Sequence, residues 1–228
     1  MPTDPSRKNP SPRGLIFPED FQAAIFDMDG LLIDSEPLWR RAEMAAFARV
    51  GVALTDDRCK ETMGMRLDAM VAHWRARFSW RDLSDEEMGA DILRRVTALI
   101  AAEGKALPGV HEVIGALRAM GVPLGLASSS PMALIEAVVA RLGLRDAFPV
   151  LCTAVDEPRG KPDPAVYLTA ARRLGVAPKM CLVFEDSPAG VLAGVRAGMR
   201  VVAVPSGSDP ALLKEAEFLW AGLGEHPW

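Results

Sequence analysis

The chain is poor in cysteine: Cys59, Cys152 and Cys181 are the only thiols in 228 residues. So sparse and odd a count cannot build a disulfide framework, and the spacing is not that of a metal-binding motif. Cys152 and Cys181 fall in apolar, strand-like runs, so buried free thiols in a reducing, cytoplasmic setting are expected. An excess of basic residues is also lacking. With 26 Lys and Arg against 30 Asp and Glu, the formal charge is −4, which does not suit a nucleic-acid partner. No apolar run approaches the length that crosses a membrane. There is no internal repeat. The first 20 residues hold Pro2, Pro5, Pro10, Pro12 and Pro18 and no apolar signal core. They are expected to be a loosely ordered tail and not a secretion signal.

What is present is a globular composition, 50% hydrophobic and 25% charged. Within it, residues 23–36 read AAIFDMDGLLIDSE. A strand-like run, Ala23 to Phe26, ends in two aspartates separated by one residue, Asp27 and Asp29, and then Gly30. Two carboxylates at a strand's carboxyl end, beside a glycine that permits a tight turn, make a poor core and a good reaction site.

From Pro108 onward, short apolar runs alternate with helical segments. Residues 122–129, 149–155, 180–186 and 200–206 read as strands. Ser130 suits an N-cap with Pro131 at the first helical position, and Pro164 and Pro188 open further helices. This alternation predicts an α/β fold with a doubly wound parallel sheet. Residues 37–106 contain no strand-like run and read as helices. They form an expected helical insert in a core made of residues 21–36 and 107–228, after a tail over 1–20. Arg75, Arg77 and Arg81, set among Trp74, Phe78 and Trp80, read as a solvated helix face in preference to a recognition surface for an anionic small molecule. The tryptophans Trp39, Trp74 and Trp80, and Met63, Met65 and Met70, are expected to pack. His73 and His111 lack partners at ligand spacing, and His226 lies near the chain end.

Three more signals lie at strand ends of the core: Ser128 after LGLA, Lys161 in GKPDP, and Glu185-Asp186 after MCLVF. Parallel strands point one way, so their carboxyl ends converge. Acids gathered there repel one another unless positive charge offsets them. Mg²⁺, a hard cation with oxygen ligands, is the natural solution, and Lys161 adds a second positive charge. Ser128 and the backbone N–H groups after it would receive an anion. The set reads as a phosphate site holding a nucleophile. Asp27 would attack phosphorus, and Asp29 would pass the proton to the leaving oxygen and take one from water. Asp186 would ligate the metal, and Glu185 would either ligate it or orient its neighbours. Arg66, in the MGMRLD stretch, is the candidate for the rest of the substrate.

FDMDG, Ser128 in LASSS, Lys161 in GKPDP and FEDS, in this order, resemble the haloacid dehalogenase superfamily, and the insert resembles its cap. The match extends over nearly the whole chain after the tail. Within the superfamily the chain is similar to the β-phosphoglucomutase-like group, above all to its 2-deoxyglucose-6-phosphate and hexitol-phosphate phosphatases. The resemblance implies a Rossmann-like core and Mg²⁺-dependent hydrolysis of small hexose or hexitol phosphomonoesters through an aspartyl-phosphate. It places Asp27, Asp29, Glu185 and Asp186 at the metal, and Gly30, Ser128, Ser129, Lys161 and Arg66 at substrate. It implies a monomer acting on a small phosphate ester, with no nucleic acid and no membrane. The alternatives are phosphoryl transfer as in the mutase, or hydrolysis of another small phosphate such as phosphoglycolate. Trp39 stands where the mutase has a histidine, and Pro131 where it has a lysine. Both departures favour hydrolysis.

Overall fold

The computed structural model describes residues 17–63, 65–206 and 209–225. The expectations for most of the tail and for His226 lie outside these residues. The first strand, β1 (Ala23–Phe26), is buried at every residue. Four helices follow: α1 (Glu36–Ala48), a short α2 (Asp56–Cys59), α3 (Leu67–Arg77) and α4 (Asp85–Glu103). Then come α5 (Val110–Ala119), β2 (Leu124–Ser128), α6 (Met132–Arg141) and β3 (Val150–Thr153). The chain continues through α7 (Ala165–Leu174), β4 (Cys181–Glu185), α8 (Pro188–Arg196), β5 (Arg200–Ala203) and β6 (Phe218–Leu219).

All strand pairs are parallel, in the order β3-β2-β1-β4-β5-β6. The chain winds outward from β1 through β2 to β3, then returns to the other side of β1. β1 is therefore flanked by β2 and β4, and the winding reverses beside it, where open α/β sheets place their ligands. The pleat sends alternate residues to opposite faces. Ala24 and Phe26 of β1 join one hydrophobic cluster with Leu126, Phe184 and residues of α5 and α6. Ala23 and Ile25 join the other, with Val183, Val166 and Val191 from β4, α7 and α8. The sheet is buried on both sides, which is why its strands read as unbroken apolar runs.

Among the described residues, 37–105 holds no strand. Its longest helix, α4, starts in a reciprocal cap: Ser84 Oγ accepts from the Glu87 N–H, and the Glu87 carboxylate accepts from the Ser84 N–H. Trp74 and Trp80 are buried, whereas Met63 and Met65 are about half exposed and so do not pack as expected. They lie between α2 and α3, where methionine spacing carries no periodic signal. Arg75 lies 3.7 Å over the Trp80 ring and pairs with Asp85 at 2.6 Å, and Arg77 pairs with Glu61. These two arginines are committed inside the insert. The three cysteines are buried and free.

The two ends of the helical stretch lie side by side. Ile33 and Ala106 form an antiparallel bridge, and the Leu107 N–H donates to Leu32 O at 3.1 Å. α4 packs on α6, and Arg141 of α6 donates to Gly104 O at 3.0 Å. The strand β6 is too short to register as an apolar run. The tail expectation also needs correction at its end: Phe17 is buried against Phe21 and Trp220, because aromatic area outweighs the helix-breaking residues around it. Among the described residues, no helix is long and apolar enough to cross a membrane.

One acid of α1 is buried without full compensation. Glu43 is 6% exposed and its Oε2 has no hydrogen-bond partner. Burial pushes its carboxyl up to about 7 from the ordinary 4.5. The folded state thus prefers the protonated acid. Its stabilising effect is complete below pH 4.5, fades as the pH rises through 7, and stays absent above. Glu43→Gln mimics the protonated form. It is expected to raise the melting temperature at pH 8 by an amount equivalent to about 2–3 kcal/mol and to change little at pH 4. Thermal melts of both proteins at the two pH values check this, and equal shifts at both would refute it.

Candidate active site

Asp27 follows the last residue of β1, and its N–H still donates to Phe184 O of β4 at 3.0 Å. The strand ladder therefore holds the backbone of Asp27 while the side chain leaves the sheet edge. Lys161 reaches it from the loop before α7. Its Nζ donates to Asp27 Oδ1 at 2.5 Å, to Glu185 Oε1 at 2.6 Å and to Ala127 O at 3.1 Å. An ammonium has three donors, so all are in use. The lysine side chain is 5% exposed.

Glu185 ends β4 and is fully buried. Its Oε1 also accepts from Tyr167 Oη at 2.7 Å. Its Oε2 accepts from the N–H groups of Asp186 at 2.9 Å and Ser187 at 3.1 Å, and from Ser187 Oγ at 3.1 Å. Room for this carboxylate comes from Gly190 in the first turn of α8, where a Cβ would lie 1.7 Å from Glu185 Oε1. Ser187 caps α8 by accepting from the Gly190 N–H, so neither Glu185 nor Asp186 is needed as a cap.

Asp29 is held from two sides. Oδ1 accepts from Ser35 Oγ at 2.6 Å and Trp39 Nε1 at 3.2 Å. Oδ2 accepts from Ser130 Oγ at 2.7 Å and more weakly from Ser128 Oγ at 3.4 Å. Ser130 is therefore not the expected N-cap. α6 begins at Met132 with Pro131 before it, and the Ser130 hydroxyl turns to Asp29. Thr153 at the end of β3 supports this loop, its Oγ1 donating to Ser130 O at 2.7 Å.

The electrostatics follow from one cation among four acids. Burial pushes Asp27 up to about 7; Lys161 opposes the rise, while Glu185 and Asp29 add to it. Burial, with Glu185 and Asp27 nearby, drives Asp186 well above the usual carboxylate range. Glu185 is the exception: burial opposes its charge, but Lys161, the Tyr167 hydroxyl and the Ser187 N–H hold its carboxyl low. Lys161 is desolvated too, yet Asp27 and Glu185 keep it protonated, its pKa well above the ordinary lysine value.

Asp27, Glu185 and Asp186 each bring a carboxylate oxygen within 4.8 Å of the others. An all-oxygen set that is short of positive charge fits a hard divalent cation. Asp29, expected among the metal ligands, has its carboxylate outside this group and committed to hydroxyl and indole donors.

Two other expected residues have different tasks. Gly30, expected at phosphate, uses its N–H to close a turn on Ile33 O at 3.0 Å. Its φ of +76° and missing Cβ matter more, since a Cβ would lie 2.1 Å from Asp186 Oδ2. Arg66, expected to face substrate, forks onto Asp68 at 3.1 and 3.0 Å and clasps Ala154 O and Glu157 O of the core at 3.3 Å each. Ser129 is partly buried at the end of β2, next to Ser128. Sequence reading missed Ser35, Ser130 and Tyr167 as site residues. Only the proximity of Ser35 to Asp29 in the chain hinted at one of them.

A parallel sheet with acids, a lysine and a serine gathered at adjacent strand ends defines a hydrolase class. A family model described as haloacid dehalogenase-like hydrolase matches residues 21–198, and the chain belongs to that family. It is 42% identical to hexitol phosphatase B of Escherichia coli O157:H7 over 207 residues, 90% of this chain and 92% of that one. It is 35% identical to validoxylamine A 7'-phosphate phosphatase of Streptomyces hygroscopicus subsp. limoneus over 208 residues, 91% of this chain and 97% of that one. Among solved structures it superposes on CbbY from Rhodobacter sphaeroides in complex with phosphate. The TM-score is 0.82 at 25% identity, covering 90% of this chain and 96% of that one.

Proposed function

We propose that the protein is a Mg²⁺-dependent phosphatase of small sugar phosphomonoesters, hexitol and hexose phosphates foremost. The observation that carries this reading is the pairing of Asp27 with Lys161 at 2.5 Å, beside an Asp29 held apart by its own donors. Two carboxylates two residues apart thus have distinct surroundings and can take distinct roles. The similarity to hexitol phosphatase B supports the substrate class.

Asp27 attacks phosphorus as the bond to the sugar oxygen breaks, giving an aspartyl-phosphate and a free alcohol. Asp29 delivers the proton to the departing oxygen. It then takes a proton from the water that attacks the phosphoenzyme, which releases inorganic phosphate and restores Asp27. Lys161, Ser128 and the backbone at Ser129 offset charge on the phosphoryl oxygens. Asp27 and Asp186 would hold Mg²⁺, which when bound supplies charge neutralisation at phosphate. Glu185 is saturated by five donors and orients Lys161 instead. The Trp39 indole is a donor only and carries no proton onward, which suits hydrolysis over phosphoryl return.

The helical insert acts as the cap, hinged near Glu36-Pro37 and Leu107-Pro108. Closure excludes water and presents insert residues to the alcohol half. Arg66 is a seam contact in this scheme, joining the insert to the loop after β3.

A phosphate-release screen with Mg²⁺ over hexitol, hexose, phosphoglycolate and other small phosphates tests the reading. Hexitol and hexose phosphates are expected to have the highest kcat/KM. Absence of phosphate release from every ester, or conversion of β-glucose 1-phosphate to glucose 6-phosphate without release, would overturn it.

A further inference from the structure

We propose that the hydroxyl of Tyr167 is a positioning group for phosphoryl transfer: it fixes Glu185 so that Glu185 can hold Lys161 while Lys161 changes partners. The inference rests on the phosphatase reading for its catalytic consequence. Its geometric basis stands apart from that reading.

Tyr167 is the only tyrosine in the chain and is fully buried. It lies in the first turn of α7, close in sequence to Lys161, and both side chains turn back toward the end of β4. Its ring packs in the hydrophobic cluster with Val166, Ala170 and Ala171. Phenylalanine would fill that space equally well. The hydroxyl is therefore an extra feature, and it makes a short hydrogen bond of 2.7 Å to Glu185 Oε1, the same oxygen that accepts from Lys161 Nζ. The ammonium also lies 4.8 Å from the Tyr167 ring centroid, over the aromatic face. Tyr167 thus touches both members of the Lys161–Glu185 pair.

The need for such a clamp follows from donor counting. Lys161 has all three N–H groups engaged, on Asp27, Glu185 and Ala127 O. To stabilise an incoming phosphoryl oxygen it must release one of them. Asp27 is the partner that changes, because its oxygen loses charge on forming the bond to phosphorus. During that exchange, Glu185 and Ala127 O alone keep the ammonium in place. The carboxylate of Glu185 is pinned through Oε2 by the Asp186 and Ser187 N–H groups and Ser187 Oγ. Those contacts fix one oxygen and leave rotation of the other about it. The Tyr167 hydroxyl is the neutral donor that fixes Oε1 and sets the direction in which the lysine points.

Tyr167→Phe keeps the ring, the packing and the cation–π contact, and removes only this bond. The variant is expected to melt within a few degrees of wild type. Inorganic phosphate binding with Mg²⁺, measured by calorimetry, should weaken about tenfold, the scale of one hydrogen bond to a charged group. With a hydrolysed ester, kcat/KM should fall by at least a similar factor, because the phosphoryl group of the ester meets the same ammonium. In a Lys161→Met background the same substitution should have no further effect on phosphate affinity, because the clamp then has nothing to aim. Phosphate affinity unchanged in Tyr167→Phe, or an equal loss in both backgrounds, would overturn the proposal. The calorimetry does not depend on turnover. A chain that hydrolyses no ester but shows the expected phosphate-binding pattern would refute the phosphatase reading and leave the clamp standing.

Discussion

Asp27→Asn is expected to stop turnover while leaving the fold as stable as before or more so. The amide is no nucleophile toward phosphorus, so hydrolysis should fall by on the order of 10⁴-fold or more, to the background of the assay. Stability should move the other way in the metal-free protein. Asp27 shares a buried corner with Asp29, Glu185 and Asp186 and one ammonium, and burial with this crowding raises its pKa to about 7. Removing its charge relieves repulsion, and the amide oxygen can still accept from Lys161. A phosphate-release assay and a thermal melt on the same preparation separate the two effects. Retained turnover would rule out Asp27 as nucleophile. A large drop in melting temperature would mean that its charge is structural.

Asp29→Asn is the second large effect, and it should fall on a different step. Asn can replace Asp within the same donor shell. Its oxygen can face Trp39 Nε1, which only donates, while its NH₂ faces Ser130 and Ser128, whose hydroxyls can reverse to accept. The fold should hold, and kcat on a sugar phosphate should fall by about 10²–10⁴-fold, the usual loss for a general acid–base. An aryl phosphate leaves without protonation, so Asp27 should still be phosphorylated by it. Water attack would then be slow. A burst of aryl alcohol and a phosphoryl group retained on the protein, seen by intact-mass measurement, are the expected signature. A steady rate equal to wild type, or a proportionate loss on both substrates with no retained phosphoryl group, would show that Asp29 carries no proton.

The strand ends were legible in the sequence because each is a change of chemistry within one short stretch: apolar residues, then an acid, a serine or a turn. β1, β2, β3, β4 and β5 announce themselves this way, and the convergence of Asp27, Ser128 and Glu185-Asp186 follows from parallel pairing, whereas Lys161 reaches them from the loop before α7. What escaped is of another kind. Ser130 lies 101 residues from Asp29 and looks like a cap, because a serine before a proline-led helix usually is one. Tyr167 falls on the apolar stripe of α7 and looks like core, which it also is. Arg66 lies in a polar loop where exposure is the ordinary state, yet it reaches the carbonyls of Ala154 and Glu157. Each of these depends on a side chain meeting another element, and a single sequence carries no record of that meeting. β6, two residues long, lacks the length on which strand patterns rest.

The bridge between Ile33 and Ala106 has an evolutionary consequence. To the sheet, the whole helical excursion is equivalent to one surface turn, since its two feet stand side by side. A module of another size or sequence could be grafted on the same footing without altering strand order or the acids at the strand ends. If the insert reads the alcohol half as proposed, reaction chemistry and choice of alcohol can diverge on separate schedules. The seam contact of Arg66 and the Ser35 and Trp39 bonds to Asp29 mark where a replacement module would have to be refitted.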